Sequence, residues 1–251
     1  NFYSAQSSNI EGIFRYLKQN HRLPKNHLDK LNLIKSLSTS LETLPRIKKY
    51  FIDGGPFFMS FVLLALILGL ALVIERIIYL ALSTTNSDQL LEDVESALNS
   101  EGVDAAKEVC RNSTGPVATI FYEGLDKMDE GIEMVDKAIV SVGSVENGKL
   151  ERNVSWISLF IALAPMLGFM GTVIGMIQAF DIIELKGEAK PDELAGGIKV
   201  ALITTVSGLI VAIILQIFYN YIVSKIDSLV NQMEDASISL IDVLVKHNKG
   251  K

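Results

Sequence analysis

Residues Val154 to Phe180 read VSWISLFIALAPMLGFMGTVIGMIQAF, a run of 27 residues without a charged side chain. At about 1.5 Å per residue, a helix of this length crosses a hydrocarbon layer of roughly 30 Å. Its small residues are not scattered. Ala164, Gly168, Gly171, Gly175 and Ala179 follow one another at spacings of three and four, which places them on one side of a helix. Thr172 lies on that side and is nearly the sole polar side chain in the middle of the run. A smooth face carrying one hydroxyl suits close helix–helix packing, because in lipid the approach of backbones drives association. Two readings stand: the face packs against another helix, or Thr172 lines a pore.

Two further runs have the same character. Gly54 to Ile74 is uncharged, and its apolar pattern continues past Glu75-Arg76 to Leu82; Val200 to Val223 is uncharged throughout. With 49% hydrophobic residues and a mean hydropathy of +0.33, the chain is too apolar for an ordinary soluble domain. The expected fold is all-α: an integral membrane protein with three transmembrane helices, continued by long helices into a helical bundle in water, on the side that the resemblance described below makes cytoplasmic. The expected divisions are an amphipathic segment over 1–53, spans over 54–82, 153–180 and 198–223, a helical segment over 83–152, a short link over 181–197 and a terminal helix over 224–251.

Charge is divided unevenly within the net −6. Residues 1–53 carry nine Lys/Arg against four Asp/Glu, whereas 83–152 carry six against fifteen. No basic patch is interleaved with aromatics, so nucleic acid is not an expected partner. Cys110 is alone and offers neither a disulfide nor a metal pair, and His21, His27 and His247 lack ligand spacing. No metal, cofactor or catalytic residue is expected. The glycines from Gly168 to Gly175 lack the Lys-Ser/Thr ending of a phosphate loop and lie inside a membrane span, so an enzyme is the poorest fit.

The first residue is Asn1 rather than Met, as expected of a processed or truncated product, and no signal-peptide core is visible. Ile10, Ile13, Phe14 and Leu17, then Leu28, Leu31, Ile34, Leu37 and Leu41, repeat at helical spacing on either side of Pro24. With Arg46, Lys48 and Lys49 ahead of the first span, this segment reads either as a helix on a membrane surface or as a solvated helical pair. Asp53-Gly54-Gly55-Pro56 punctuates the start of the span. Glu75 and Arg76 read as an interfacial pair, the arginine snorkelling outward with Tyr79 at headgroup depth.

Apolar spacing predicts helices around Leu90–Leu98, Ala105–Cys110 and Ile120–Met128, and one from Val135 that runs without a break into the second span. Gly187, Pro191 and Gly196-Gly197 read as breakers of the link. The third span then presents Ala201, Thr204, Thr205, Gly208 and Ala212 on one side, matching the small-plus-hydroxyl face of the second. Ile226, Leu229, Val230, Met233, Leu240, Ile241, Leu244 and Val245 continue the stripe, predicting one long helix. The pairing of hydroxyls on two adjacent helices favours the pore. Candidate pore-lining residues are Thr172, Thr204, Thr205 and Ser207; candidate packing residues are Gly168, Gly171, Gly175, Ala201 and Gly208.

The stretch Ala164-Pro165-Met166-Leu167-Gly168-Phe169-Met170-Gly171-Thr172-Val173-Ile174-Gly175 resembles the signature of the MotA/TolQ/ExbB proton channel family. Ala201-Leu202-Ile203-Thr204-Thr205-Val206-Ser207-Gly208-Leu209, closing on Phe218-Tyr219-Asn220, resembles the third helix of its ExbB members, with smaller echoes at Glu75–Tyr79 and Gly115–Phe121. The resemblance covers about residues 54–246. It implies a bacterial inner-membrane homopentamer around a dimer of an ExbD-like single-span protein. Proton flow there serves a TonB-like energy transducer, and membrane lipids are further partners. It also implies pore-facing positions for Thr172 and Thr205. One departure is plain: ExbB members often carry a Glu near the start of the third helix, where this chain reads Lys199-Val200-Ala201.

The chemistry of the residues sets the same limit. Spans two and three hold no Asp, Glu or His, and threonine hydroxyls order water or donate hydrogen bonds without titrating near neutrality. An intramembrane carboxylate is the usual mark of a proton path, so a partner should supply the acid. Lys/Arg near the span ends divide as Arg46, Lys48, Lys49, Lys186, Lys190 and Lys199 against Arg76, Lys137, Lys149, Arg152 and Lys225, so charge does not orient the chain. The resemblance does, with a periplasmic N-terminus and a cytoplasmic acidic segment and tail. A TolQ-like subunit for envelope integrity and a non-conducting scaffold are the alternatives. A MotA-like stator would need a fourth span.

Overall fold

The computed structural model describes residues 48–187 and 191–249. The amphipathic helices expected before residue 48 lie outside the described residues. Among the described residues the fold is entirely helical. After a helical stretch over 48–53 come α1 (Pro56–Leu82), α2 (Ser87–Ser100), α3 (Val103–Asn112), α4 (Pro116–Asp126), a 3-10 turn at Met128–Glu130, α5 (Ile132–Leu150), α6 (Val154–Lys186) and α7 (Pro191–Lys249).

Local chemistry sets these boundaries. Pro56 and Pro116 open α1 and α4, where a missing N–H costs nothing. Gly102 and Gly115 precede α3 and α4 with φ of 94° and 104°, a region closed to most side chains. Asn86 caps α2 by accepting from the Gln89 amide at 3.4 Å.

The apolar parts of α1, α6 and α7 are each long and apolar enough to cross a membrane, and the chain is a multi-pass membrane protein. Much of their surface is outward-facing and greasy, as Phe57, Ile67, Phe169 and Ile217 illustrate. Such a surface is unfavourable in water and at home against lipid or other membrane helices. Helices α6 and α7 form the central antiparallel pair, and α1 packs against both.

Beyond the spans, α2 to α5 gather around the distal half of α7. Leu90, Val94, Leu98, Ala106, Ile120, Phe121, Leu125 and Ile139 are buried together with Leu229, Met233, Leu240 and Leu244. The expected single helix from third span to tail is observed: α7 is 59 residues, about 90 Å at 1.5 Å per residue. It is thus the one helix shared by the membrane layer and the outer bundle.

Two expectations need correction. Helix α5 does not run unbroken into α6: residues 151–153 interrupt the ladder, and Asn153 adopts left-handed φ 65°, ψ −4°. The link between α6 and α7 is also shorter than expected. Helix α6 continues to Lys186 and α7 begins at Pro191, so Gly196 and Gly197 are helical rather than breakers. A Cβ on Gly197 would stand 2.6 Å from the Ala179 Cβ, so that glycine serves close approach.

Candidate functional site

The small face of α6 is buried along its whole length: Ala164, Gly168, Gly171, Gly175 and Ala179 all turn inward. Opposite them on α7 lie Ala201, Thr204 and Gly208, also buried. The helices touch backbone to backbone. A Cβ on Gly168 would lie 2.8 Å from the Thr204 carbonyl oxygen, and one on Gly208 would strike the Ala164 carbonyl. Gly168, Gly171, Gly175, Ala201 and Gly208 all lie in this contact.

At the edge of this contact, Thr172 and Thr205 are half-buried and their hydroxyls hydrogen-bond to each other. Main-chain oxygens surround the pair. The Thr172 hydroxyl lies 3.1 Å from the Ala201 carbonyl and 3.2 Å from that of Gly168, and the Thr205 hydroxyl lies 3.3 Å from the Gly168 carbonyl. Each hydroxyl has one proton to donate. Two directions of donation therefore satisfy the pair. Thr205 donates to Thr172, which donates to Ala201; or Thr172 donates to Thr205, which donates to Gly168. The pair can reverse its polarity without losing a hydrogen bond, but it cannot release or take up a proton at neutral pH.

The other two hydroxyls are placed differently. Thr204 is 1% exposed, packs against Gly171 and donates back to the Ala201 carbonyl at 2.7 Å, so within this chain it is a packing residue. Ser207 is half-buried and donates to the Ile203 carbonyl at 2.8 Å. The structure brings Thr172 and Thr205 together and leaves Thr204 and Ser207 occupied on their own helix.

Lys199, one turn and a half before Thr205, meets Asp53 at 2.6 Å. The pair joins the turn ahead of α1 to the first turns of α7, with Gly54 against Ile203 and Gly55 against Val200. The Lys199 hydrogen bond holds the Asp53 carboxyl below its ordinary range, against a smaller opposing effect of burial. Sequence reasoning noted Lys199 as a departure and missed its partner, since nothing local links positions so far apart.

The Arg76 side chain does not take the outward course expected of it. Arg76 does not snorkel: it is 2% exposed and turned inward, its Nη1 donating to the Lys149 carbonyl at 3.3 Å and its guanidinium carbon 4.5 Å from the centre of the Tyr79 ring. Glu75, half-exposed, receives the fork of the guanidinium through both carboxylate oxygens. A side chain satisfied this well inside the fold has no reason to reach for the headgroups. Among the described residues no group of His, Cys, Asp or Glu is placed to hold a metal ion.

Comparison with known proteins bears directly on this arrangement. The profile of the MotA/TolQ/ExbB proton channel family matches residues 112–235, which contain both threonines. An ExbB homolog of Methanothermobacter thermautotrophicus is 34% identical over 169 residues, covering 67% of this chain and 60% of that protein. The ExbB-like protein 3 of Synechocystis is 30% identical over 156 residues, 61% of this chain and 74% of its own length. The biopolymer transport protein ExbB of Aquifex aeolicus is 38% identical over 122 residues, 45% of this chain and 80% of its own. The chain thus spans three fifths of the first of these relatives and about three quarters or more of the other two.

Proposed function

The chain belongs to the MotA/TolQ/ExbB proton channel family, and from that membership we propose that it is the ExbB-like subunit of a proton-driven motor in a bacterial inner membrane. In this reading five copies form a ring around a dimer of an ExbD-like single-span protein. The proton motive force, passed to a TonB-like transducer, energises transport across the outer membrane. The segment ahead of α1 and the α6–α7 link face the periplasm. The bundle of α2 to α5, with the end of α7, is cytoplasmic.

One observation carries the proposal: the Thr172–Thr205 pair is a reversible hydroxyl contact in a helix hairpin without an Asp, Glu, His, Lys or Arg from Val200 to Val223 or from Val154 to Phe180. Hydroxyls able to donate in either direction can hand on a hydrogen-bond polarity, but a proton path also needs a group that titrates. The missing acid is expected on the single-span partner. The chain's own role is that of a polar wall and scaffold rather than of an enzyme.

Native mass spectrometry of the tagged chain, gently extracted from its host membranes, tests this. Five copies retaining a small single-span protein with a membrane-embedded carboxylate is the expected result. A stable homo-oligomer that never retains such a partner would overturn the motor, leave a non-conducting scaffold, and reduce Thr172 and Thr205 to packing residues.

A further inference from the structure

Between α5 and α6 only three residues, 151–153, connect two long helices. Asn153 is the one non-glycine residue with positive φ among those described. A connection this short leaves a few soft dihedrals free, and asparagine enters the left-handed region at less cost than other side chains.

Arg76, adjacent to Glu75 on α1, reaches the near side of the break, and α1 itself lies against the far side. Before it, the Arg76 Nη1 donates to the Lys149 carbonyl, one of the last-turn oxygens of α5 that helical geometry leaves without a partner. After it, α6 packs along α1 itself. The guanidinium is fixed in this direction because its Nε and Nη2 both donate to Glu75, the first at 2.6 Å. Tyr79 covers the guanidinium from the same helix. On the bundle side, Lys149 also pairs with the largely buried Glu146 at 2.7 Å, so the last turn of α5 is itself held firm. An always-charged guanidinium at 2% exposure is tolerable only because its donors are taken in this arrangement.

We infer that the Glu75–Arg76 pair is a clamp on the α5–α6 break: α1 sets the direction in which α6 leaves the outer bundle, and hence how the Thr172–Thr205 hairpin is carried on it. Arg76 is a positioning residue. It touches neither threonine and acts through the Lys149 carbonyl, held in place by Glu75. The competing determinant is α7, which packs on both α5 and α6 and could align them unaided. The mechanical consequence for transport rests on the proposed motor function. The clamp itself does not.

The test measures distance across the break. The full chain, carrying Cys110→Ala, is spin-labelled at Ser141→Cys on α5 and Ala162→Cys on α6, diluted with unlabelled chain and placed in lipid nanodiscs. A second pair, Ala162→Cys with Ile213→Cys, reports on the α6–α7 hairpin alone. Arg76→Met, Arg76→Lys and Glu75→Gln are each expected to broaden or shift the distribution across the break. Lysine keeps the charge but cannot bridge two acceptors with a planar fork, so it should not rescue. The hairpin pair should stay unchanged, which a general loss of packing would not allow. Asn153→Gly should be silent with the clamp intact and should broaden the distribution further in the Arg76→Met background.

If Arg76→Met does not insert, Arg76→Lys and Glu75→Gln carry the same reading. Distributions that superimpose on the wild type in every folded variant would overturn the clamp and assign the geometry to α7. A shifted break in a chain that never assembles with a single-span partner would sink the motor reading while leaving the clamp in place.

Discussion

Lys199 and Asp53 stand 146 positions apart in the chain and meet at 2.6 Å, tying the turn before α1 to the start of α7. The contact anchors one end of the three-helix layer, while the Glu75–Arg76 pair anchors the other. Between these two ionic fastenings the hairpin is held by small residues and hydroxyls.

The Asp53 carboxyl is held below its ordinary value of 3.8, first by the Lys199 hydrogen bond. A depressed carboxylate stabilises the fold fully above its unfolded pKa, and the contribution disappears as pH falls through the folded value. The anchor should therefore be complete at neutral pH and lost only in acid below 3.8. Lys199→Met should return the Asp53 titration towards its ordinary value, read by carbon-13 NMR of the labelled carboxyl. An unmoved titration would show that the contact does not form in lipid.

Thr205→Val keeps the shape at position 205 and removes its hydroxyl. Thr172 retains the Ala201 carbonyl as acceptor, so the packed hairpin should lose no more than about 1 kcal/mol. Under the proposed function, coupled transport should nevertheless be abolished. Thermal melting of the assembled complex together with an uptake assay separates the two effects. Normal uptake in the variant would remove the hydroxyl pair from the pathway.

Gly168→Ala should be far worse than Gly175→Ala. The new methyl at 168 would lie 2.8 Å from a backbone oxygen that cannot rotate away, whereas at 175 it meets the Ala201 Cβ at an ordinary 3.6 Å. Overpacking of this kind costs roughly 1–3 kcal/mol. Denaturant titration in mixed micelles should show a large shift for the first variant and little for the second. Equal shifts would mean that α6 and α7 separate by more than the observed approach.

Cys110 is buried in α3, and burial pushes its thiol up to about 11. At pH 8 about one thiol in a thousand is ionised, and that fraction is reached only when the bundle opens. Maleimide labelling of the native chain should be slow and should become rapid in denaturant. The same cysteine then serves as a probe of bundle opening in the variants above. Fast labelling of the native protein would place the α3–α4 contact among the first parts of the fold to open.

Much of this protein was legible in the order of its residues. An uncharged run of 27 residues can be stable in few ways besides a membrane helix, since each backbone polar group must be satisfied within the run. Spacings of three and four identify the shared face of Ala164, Gly168, Gly171 and Gly175, and the stripe from Ile226 to Leu244 identifies the bundle face of α7. Periodicity is local, so it survives without knowledge of the fold. Tertiary structure alone decided the rest. Helix α1 turned Arg76 inward, because the carbonyl that receives it belongs to Lys149, a backbone group that no side-chain pattern announces. The break at Asn153 was hidden because apolar spacing runs on across it, and an asparagine, though it enters the left-handed region readily, does not by itself say that a helix stops there. Of four candidate hydroxyls, two face each other and two turn back onto their own helix. Composition cannot sort them, since rotation of α6 against α7 is set by which glycines admit a neighbouring backbone.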